Sequence, residues 1–298
     1  MTTMQKSIVV TGASSGFGKL IVETLAKDGH KVFATMRGVE GKNTSVAEEY
    51  KNWAEENNYD LHVLEMDVSS DDSVNEGIKR ILSLTNRVDV IVNNAGYGVP
   101  GVTEGFTSED TINLFNTNVV GPMRVNNGLL PTLRKQGEGL LIQITSGSAH
   151  GTVPFMGVYS ATKSAIDTIA ESYHYDLAQL GIESVTIEPG SFPTEGPGKM
   201  RPPANGHVIK EYGVVAEAMN QLFNGMEEMV SGDKVPNPQD VADEVKKLID
   251  TPAGQRPLRT VVGELMADHA RKVNAATEPI QKEFLESLGV AYLDDFKK

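Results

Sequence analysis

Tyr159 and Lys163 have residue types and a spacing that suit proton transfer to a carbonyl or hydroxyl oxygen. They are four residues apart, so on a helix they lie one turn apart on the same face. A free phenol has a pKa of about 10, and an ammonium group beside it favours the phenolate. Ser146, thirteen positions before Tyr159, follows an apolar segment and offers a hydroxyl. The Tyr–Lys pair alone is a common surface pattern, so the prediction of acid–base chemistry depends on the rest of the sequence.

Three glycines near the N-terminus have the arrangement of a phosphate-binding turn. Gly12, Gly16 and Gly18 follow an apolar segment and precede a helical pattern. Glycine allows a tight turn and lets a diphosphate approach the amides at the start of a helix, where the partial charge is positive. The spacing G-x-x-x-G-x-G differs from the commoner dinucleotide fingerprint G-x-G-x-x-G. An ordinary strand–helix turn is the alternative, so the prediction of a nucleotide site depends on the position of the cluster.

Short apolar segments alternate with longer amphipathic ones, which is typical of a parallel sheet covered by helices on both faces. Several predicted strands are continuous apolar runs, as expected for strands that are buried on both faces. Strands are predicted at 8–11, 32–35, 61–66, 88–92, 140–145, 184–188 and 260–262. Helices are predicted at about 17–28, 45–57, 71–85, 107–135, 157–180, 211–230 and 239–250. The predicted fold class is α/β, a doubly wound, Rossmann-like parallel sheet of about seven strands.

The length of 298 residues fits one enlarged α/β domain as well as it fits two domains, and the regular strand–helix rhythm favours one. Two stretches fall outside that rhythm. Residues 191–210 contain four prolines and three glycines, and residues 264–298 have mixed charge and weak helical character. We therefore expect one domain over 1–263, with a substrate lid at about 191–235, and a C-terminal extension, 264–298, that packs on the same domain.

Composition and charge exclude several classes of function. The formal net charge of −13 disfavours nucleic acid and anionic membranes as partners. The sequence has no cysteine, which excludes a disulfide framework, a thiolate nucleophile and a Cys-ligated metal, and the six histidines form no metal-binding motif. No metal site is predicted. With no run of 18 apolar residues and only a short apolar run near the N-terminus, we expect no membrane span and a cytoplasmic protein.

Taken together, these motifs resemble the short-chain dehydrogenase/reductase family in its single-domain form. The resemblance covers the chain from Thr11 to Thr194 and then fades. The matching positions are Thr11–Gly18, Asp67-Val68, Asn93-Asn94-Ala95-Gly96, Asn118, Ser146, Tyr159, Lys163, Pro189-Gly190 and Thr194. The resemblance implies reversible hydride transfer between a nicotinamide cofactor and a small-molecule carbonyl or alcohol. It also implies a homodimer or homotetramer that assembles through the helices near 107–135 and 157–180.

The resemblance further implies a role for each matching residue. Tyr159 would be the catalytic acid and base, and Lys163 would lower its pKa and bind the nicotinamide ribose. Ser146 would bind the substrate oxygen, and Asn118 would hold a water in a proton relay to Lys163. Within the cofactor site, Asp67 would contact the adenine and Thr194 the carboxamide. The implied cofactor-binding residues are Gly12, Ser14, Ser15, Gly16, Phe17, Gly18, Arg37, Asp67, Val68, Asn94, Ala95, Gly96, Tyr159, Lys163, Pro189, Gly190 and Thr194.

The end of the second predicted strand bears on the choice between NADP and NAD. NAD usually meets a carboxylate there, which accepts from the ribose 2′-hydroxyl, whereas an arginine suits the 2′-phosphate of NADP. The strand is followed by Arg37, with no acidic residue before Glu40. Ser14 and Ser15 could add hydroxyl donors. We predict NADP rather than NAD, and the alternative for Arg37 is a solvated surface charge.

The segments that line the substrate pocket in this family correspond to 97–102, 147–156 and 192 to about 230. Their candidate lining side chains are His150, Val153, Phe155, Met156, Phe192, Met200, Met219, Phe223, Met226 and Met229. Methionines make an adaptable apolar wall, so we expect a hydrophobic substrate. By analogy within the family, steroids, retinoids and bulky carbonyls are candidates. The alternative is that Met219, Phe223 and Met226, which have helical spacing, are part of the core.

Two other functions are compatible with parts of the sequence. Ser146, His150 and Asp167 could form a hydrolase triad, but their order differs from that of the nucleophile-elbow hydrolases. A cofactor-sensing regulator without catalysis could use the same fold. Loss of Tyr159 or Lys163 would favour that second function, and both residues are present.

Overall fold

The computed structural model describes residues 4–193, 200–229, 235–264 and 267–297. Its centre is a seven-stranded sheet with the order β3-β2-β1-β4-β5-β6-β7, in which every adjacent pair is parallel. The strands are β1 Ser7–Thr11, β2 Lys31–Met36, β3 Leu61–Glu65, β4 Val90–Asn93, β5 Gly139–Ile144, β6 Ile182–Pro189 and β7 Arg259–Val262. The predicted fold class, a Rossmann-like doubly wound sheet in a single domain, is confirmed.

Helices follow the strands in the expected alternation. They are α1 Gly16–Lys27, α2 Thr44–Asn57, α3 Asp71–Leu84, α4 Ser108–Phe115, α5 Gly121–Gln136, α6 Gly157–Leu177, α7 Val214–Met229, α8 Gln239–Asp250 and α9 Ala267–Ser287. Short 3₁₀ turns lie at Thr103–Gly105, Gly147–Ala149, Ala178–Leu180, Gly206–Tyr212 and Ala291–Leu293. Within the described residues, no helix is both long and apolar enough to cross a bilayer.

The central strands are apolar on both faces because helices cover both sides of the sheet. On β1, Ile8 and Val10 point to the layer that contains α1 and α8, while Val9 points to the layer that contains α3, α5 and α6. All three side chains are fully buried. Burying one such side chain stabilises the fold by about 1.5–3 kcal/mol. This explains why the strand has a continuous apolar run in place of an alternating pattern.

The sheet order places a crevice at its centre. The chain runs outward from β1 to β2 and β3, then returns to β4 on the other side of β1. In open parallel sheets, ligands bind outside the carboxyl ends of the strands at this reversal point. The glycine cluster follows β1 and the Asn94–Gly96 segment follows β4, so both lie at that place.

Two predicted helices differ from the observed ones. The helix predicted at 107–135 is two helices, α4 and α5, joined by a π-helical segment, Asn116–Val120. The helix predicted at 211–230 begins later, at Val214, after a 3₁₀ turn. A wide π turn interrupts the regular hydrogen bonding while keeping the helical direction, so the periodicity of the side chains does not reveal it.

The C-terminal extension is more ordered than its sequence pattern indicates. Residues 267–287 form a helix of 21 residues, α9, which contacts β6, β7 and the Gly147–Ala149 turn. Only Ala267, Ala270 and Leu285 are buried among its described residues. Because small alanines make most of the close contact, the apolar stripe that would announce a helix is weak.

Candidate active site

The turn between β1 and α1 is shaped by two glycines for which a side chain has no room. Gly12 has φ +67°, and a Cβ built there would lie 2.7 Å from the Cα of Ala95. A Cβ on Gly18 would lie 2.5 Å from the side-chain nitrogen of Asn94. The first turn of α1 contains no acidic residue. The close packing of this turn and the absence of an acidic residue at the start of α1 favour an anion there.

Thr11 and Asn94 hold this turn against the end of β4. The Asn94 side-chain Nδ2 donates to Thr11 O at 2.9 Å and to Gly12 O at 3.2 Å. In the opposite direction, Thr11 Oγ1 accepts from the main-chain N of Asn94 and of Ala95, both at 3.1 Å. That Asn94 lines the strand end beneath the cofactor stays a prediction, and in the structure its side chain also braces the turn. Thr11 was not among the predicted site residues, although its place as the last residue of β1, directly before a glycine, is a usable signal.

Ser146, Tyr159 and Lys163 lie together at the carboxyl end of β5. Tyr159 and Lys163 are on α6, and the Ser146 side chain is hydrogen bonded to Tyr159. Ser146 Oγ also accepts from Ser148 N at 3.2 Å. Lys163 Nζ lies 5.7 Å from the centroid of the Tyr159 ring and donates to Ile144 O at 2.9 Å. The three residues that the sequence singled out therefore share one site.

The pKa shifts of the tyrosine and lysine both follow from burial. Burial raises the pKa of Tyr159 above 10, although the hydrogen bond from Ser146 acts in the opposite direction. Burial lowers the pKa of Lys163 to about 8. That Lys163 lowers the pKa of Tyr159 stays a prediction, and burial makes the net shift of this pKa upward. Burial is the largest cause of the upward shift, and the Lys163 ammonium donates a hydrogen bond to Ile144 O.

Asn118 lies in the π-helical segment, next to Lys163. Its Nδ2 donates to Tyr97 O at 2.9 Å and to Thr162 Oγ1 at 3.1 Å, and its Oδ1 accepts from Tyr97 N at 3.1 Å. A Cβ on Gly96 would lie 3.1 Å from Asn118 Oδ1 and 3.9 Å from Lys163 Nζ. Gly96 thus permits the close approach of these two side chains. Because both N–H groups of the amide are used, Asn118 holds the segment after β4 beside the lysine.

The sequence profile of the family described as short chain dehydrogenase matches residues 6–204. The chain belongs to the short-chain dehydrogenase/reductase family. Proteins of this family are oxidoreductases that act on CH–OH or C=O groups of small molecules. The match ends close to the point where the resemblance of the sequence fades.

Curated relatives and solved structures agree with this membership. The chain is 33% identical over 187 residues to the 3-ketodihydrosphingosine reductase of Bacteroides thetaiotaomicron, covering 63% of this chain and 64% of that protein. It is 34% identical over 203 residues to retinol dehydrogenase 8 of Homo sapiens, covering 67% and 63%. The chain thus spans less than two thirds of the length of these relatives. A short-chain dehydrogenase of Streptomyces avermitilis matches with a TM-score of 0.78 and 26% identity over 97% of this chain and 98% of that one.

Solved structures of the same fold contain either nicotinamide cofactor. The alcohol dehydrogenase of Thermococcus sibiricus, complexed with 5-hydroxy-NADP, has a TM-score of 0.68 and 25% identity over 87% of this chain and 96% of that one. The 3-ketoacyl-(acyl-carrier-protein) reductase of Brucella melitensis, complexed with NADH, has a TM-score of 0.69 and 23% identity over 87% and 98%. Choosing between the cofactors therefore depends on this chain's own residues.

Cationic side chains gather beyond the end of β2. Arg37 is exposed, and Lys42 follows on the same loop. Burial lowers the pKa of Lys42, and the positive charges of Arg37 and Arg201 lower it further. A bound anion would reduce the repulsion between these positive charges. Lys42 and Arg201 were not among the predicted site residues, because neither belongs to a motif and Arg201 is distant in sequence.

Carboxylates near this basic cluster are engaged by the protein itself. Glu65, at the end of β3, accepts from Gly38 N at 2.9 Å and from Val39 N at 2.7 Å, so it holds the loop after β2. Asp67 accepts from the Ser69 N and Oγ at 3.0 and 2.7 Å. Burial alone would raise the pKa of Asp67, but these hydrogen bonds outweigh it and the pKa is lowered. Asp67 is therefore a charged residue at the expected strand end.

The remaining predicted cofactor residues lie around the same crevice. Val68 is buried beside Gly121, Pro189 ends β6, and Gly190 N donates to Val262 O at 2.9 Å. Phe17 packs edge-on against Phe192 with ring centroids 5.5 Å apart. Ser14 and Ser15 lie in the turn that precedes α1. Thr194 lies outside the described residues.

An apolar corner lies beside Tyr159. A Cβ on Gly98 would contact Met156 Cε at 3.4 Å, Tyr159 Cδ2 at 3.7 Å and Met200 Cε at 3.8 Å, so these three side chains converge there. The alternative that Met219, Phe223 and Met226 are core residues is not supported, since none of the three is buried. The Met229 side chain lies outside the described part of the chain.

The segment after β6 is fastened to the opposite wall of the crevice. Ala204 N donates to Asp110 Oδ2 at 3.0 Å, and Asn205 N donates to Gly105 O at 3.0 Å. Tyr212 Oη donates to Glu104 Oε2 at 2.5 Å. Asp110 also caps α4 through Thr107. Residues 204–212 are therefore held over the 104–110 wall, which no sequence motif indicated.

The hydrolase alternative is not supported by the geometry. The Ser146 hydroxyl is hydrogen bonded to Ser148 and Tyr159, whereas Nε2 of His150 lies 3.1 Å from Glu188 Oε1. The imidazole nitrogen that would activate a serine is thus occupied by a buried carboxylate.

Proposed function

We propose that the protein is an NADP(H)-dependent oxidoreductase that transfers a hydride between the nicotinamide and a carbonyl carbon or secondary alcohol, with a hydrophobic substrate. The observation that carries the proposal is the convergence of Ser146, Tyr159 and Lys163 at the strand ends, beside the glycine turn. Family membership and the parallel sheet support the reaction class.

The residues around the glycine turn fit a dinucleotide. Gly12 and Gly18 let the turn pack closely against Ala95 and Asn94, and the start of α1, which has no acidic residue in its first turn, favours a diphosphate. The nicotinamide would lie toward Lys163, Pro189 and Gly190. When bound, the nicotinamide supplies or accepts the hydride.

The protein residues would manage the proton and the orientation of the substrate. In reduction, Ser146 and Tyr159 donate hydrogen bonds to the carbonyl oxygen, and Tyr159 gives its proton to that oxygen as the hydride reaches carbon. The product is an alcohol and the cofactor is left oxidised. A neutral phenol is needed at the start, and the raised pKa of Tyr159 keeps it protonated at neutral pH. Reduction is therefore the proposed direction.

The apolar corner at Gly98, Met156 and Met200 supports a hydrophobic substrate. The related reductase and retinol dehydrogenase carry names of lipid-like substrates, which agrees with this proposal without identifying the compound. A panel of ketones, aldehydes, retinoids, steroids, sugars and hydroxy acids, assayed with NADPH and with NADH, tests it. We expect turnover of bulky apolar carbonyls with NADPH. Turnover of small polar sugars or hydroxy acids alone would contradict the substrate class.

Arg37 and Lys42 provide a separate test of the cofactor. Replacing Arg37 with aspartate is expected to raise KM for NADPH by about tenfold to a hundredfold, since a charge-assisted hydrogen bond contributes about 1.5–3 kcal/mol. KM for NADH should fall or stay the same. Lys42→Ala should weaken NADPH binding less. Initial rates with both cofactors measure the ratio, and equal or better kcat/KM of the unaltered protein with NADH would refute the NADP assignment.

The assembly and location are also proposed. Family resemblance favours a homodimer or homotetramer through α4, α5 and α6, and the exposed Ile112 and Val120 on that region are suited to contact a second copy. Light scattering after gel filtration measures the mass, and a monomer would contradict the assembly. The cysteine-free sequence fits the reducing cytoplasm. Residues 191–235 would act as the substrate lid, and 264–298 would pack on the same domain.

A further inference from the structure

A buried group of charges lies directly behind the loop that contains Ser146. We name His150, Asp167, Glu188 and Arg259 the His150 cluster. His150 Nε2 lies 3.1 Å from Glu188 Oε1 and 3.8 Å from Asp167 Oδ2. Arg259 Nε approaches the same two oxygens, at 3.8 and 3.3 Å. The Glu188 side chain is 0% exposed and that of Asp167 is 5% exposed, so these charges have little solvent to stabilise them.

The balance of charge in the cluster favours a protonated imidazole. Glu171, on α6, adds a third carboxylate by pairing with Arg259 Nη2 at 2.6 Å. Three carboxylates face one guanidinium, and Asp167 Oδ1 is buried without a hydrogen-bond partner among the described residues. The hydrogen bond with Glu188 raises the pKa of His150 above 6.5, with burial acting less strongly in the opposite direction. Buried carboxylates without a counter-charge are costly, so the imidazolium stabilises the group.

His150 also connects the catalytic loop to the C-terminal helix. It follows the Gly147–Ala149 turn, whose carbonyl at Ala149 accepts from Ser164 Oγ on α6 at 2.5 Å. His269, on α9, donates from Nε2 to His150 O at 3.2 Å, and the absence of a side chain at Gly151 permits this approach. Asn274, also on α9, donates to Glu188 Oε2 at 2.9 Å. The His150 imidazole is therefore tied to β6 and α6, while the main-chain carbonyl of His150 is tied to α9.

We propose that protonated His150 is a positioning residue, which holds the 146–151 loop, and so Ser146, in place for catalysis, with α9 as part of the support. The proposal rests on the proposed oxidoreductase function for its kinetic consequence only. It gives the C-terminal extension a task at the active site, since α9 contacts both the loop and Glu188.

A divalent metal is the competing occupant of this cluster. His150, Asp167 and Glu188 place ligand atoms within 4.8 Å of one another. The Arg259 guanidinium, however, already faces the two carboxylate oxygens that a metal would need, at 3.3 and 3.8 Å. A dication there would be repelled by the Arg259 guanidinium, whereas an imidazolium can share these oxygens through hydrogen bonds.

His150→Gln tests the proposal, with His62→Gln as its matched control. His62 is also a partly buried histidine paired with an aspartate, Asp60, at 2.9 Å, but it lies on β3 at the opposite edge of the sheet. We expect His150→Gln to lower kcat/KM for carbonyl reduction by about tenfold to a hundredfold, as a misplaced catalytic group does. KM for the cofactor should be unchanged. His62→Gln should match the unaltered protein.

The pH dependence distinguishes positioning from a general loss of structure. A histidine whose pKa is raised on folding contributes stability that is complete below its unfolded pKa and is lost as pH rises through its folded pKa. Reduction by the unaltered protein should therefore decline as pH rises through the folded pKa of His150, which lies above 6.5. His150→Gln should lose this step. The groups that face His150 are Glu188 on β6, Asp167 and Glu171 on α6, Arg259 on β7, and His269 on α9.

Hydrogen exchange tests the same contact without relying on turnover. Amides of 147–151 should exchange about tenfold faster in His150→Gln, and by a smaller factor in Asn274→Ala, which is the fallback if the first variant does not fold. Unchanged exchange in both variants overturns the proposal. So does a gain in melting temperature with one equivalent of Zn²⁺ that His150→Gln abolishes. If the unaltered protein reduces no carbonyl, the proposed function fails, while the exchange result still decides the role of His150.

Discussion

Replacing Tyr159 with phenylalanine is expected to lower kcat for carbonyl reduction by about a hundredfold to ten-thousandfold, the usual contribution of a general acid. The change removes one oxygen and leaves the ring in the apolar corner beside Gly98 and Met156. Ser146 keeps its contacts with Ser148, so the loop should keep its conformation. Cofactor affinity should change little. Steady-state kinetics with NADPH, together with a fluorescence titration of the cofactor, separate the two quantities.

Tyr173→Phe is the matched control for this result. Tyr173 lies on the same helix, α6, and its hydroxyl donates to Asn127 Oδ1 at 2.7 Å, away from the strand ends. Its loss should cost about 1 kcal/mol of stability and leave kcat near that of the unaltered protein. If Tyr159→Phe turned over substrate as fast as Tyr173→Phe, Tyr159 would not be the proton donor. That result would favour a non-catalytic, cofactor-sensing role.

The fold could be predicted because its signals are local. Each strand of the sheet is a short apolar run, and burial on both faces makes that pattern independent of the strand's neighbours. The predicted and observed strands agree to within two residues at each end. The exceptions have weak local signals. The sequence pattern did not separate the π-helical segment Asn116–Val120 from its flanking helices, and α9 buries only Ala267, Ala270 and Leu285 among its described residues.

The proximity of Ser146, Tyr159 and Lys163 could be predicted for a different reason. Tyr159 and Lys163 are one helical turn apart, so their proximity is fixed as soon as α6 forms, and Ser146 follows from the sheet register. The pKa of Tyr159 could not be predicted in this way. It depends on where the Lys163 ammonium points and on how deeply the ring is buried, which are properties of the packed protein.

Contacts between distant segments account for what the sequence did not reveal. Glu65 holds the loop after β2, and Asp110 holds the segment near Ala204, yet each looks like an ordinary surface acid in the sequence. The His150 cluster gathers residues from a loop, from α6 and from the strands β6 and β7, which are far apart along the chain. Pairings of this kind require the folded sheet, because no periodic pattern relates their positions.

The net charge of −13 opposes the binding of the proposed anionic cofactor. An anionic dinucleotide must bind against the field of the whole protein, so its affinity has to come from nearby positive groups. The start of α1, with Arg37, Lys42 and Arg201 beyond β2, provides them. The Glu65 carboxylate, near these positive groups, accepts hydrogen bonds from the main-chain N of Gly38 and of Val39.

Gly18→Ala is expected to weaken cofactor binding by about tenfold to a thousandfold. A methyl group there would lie 2.5 Å from Asn94 Nδ2, and Asn94 is itself fixed to Thr11 O and Gly12 O. Since these hydrogen bonds prevent the Asn94 side chain from moving away, the turn itself must shift. Each lost hydrogen bond to a phosphate costs about 1.5–3 kcal/mol. Calorimetric titration with NADP measures the change.

The sign of the stability change makes this prediction specific, with Gly225→Ala as its control. Gly225, on α7, has open space where a Cβ would be, so alanine there should stabilise the protein by about 0.5–1 kcal/mol through its better helix propensity. Gly18 is also helical, and propensity alone would predict the same gain. The forced shift of the turn should instead destabilise the protein by about 1–3 kcal/mol. If thermal unfolding showed Gly18→Ala to be stabilised with its NADP affinity intact, the turn would not be the tight phosphate cradle proposed for it.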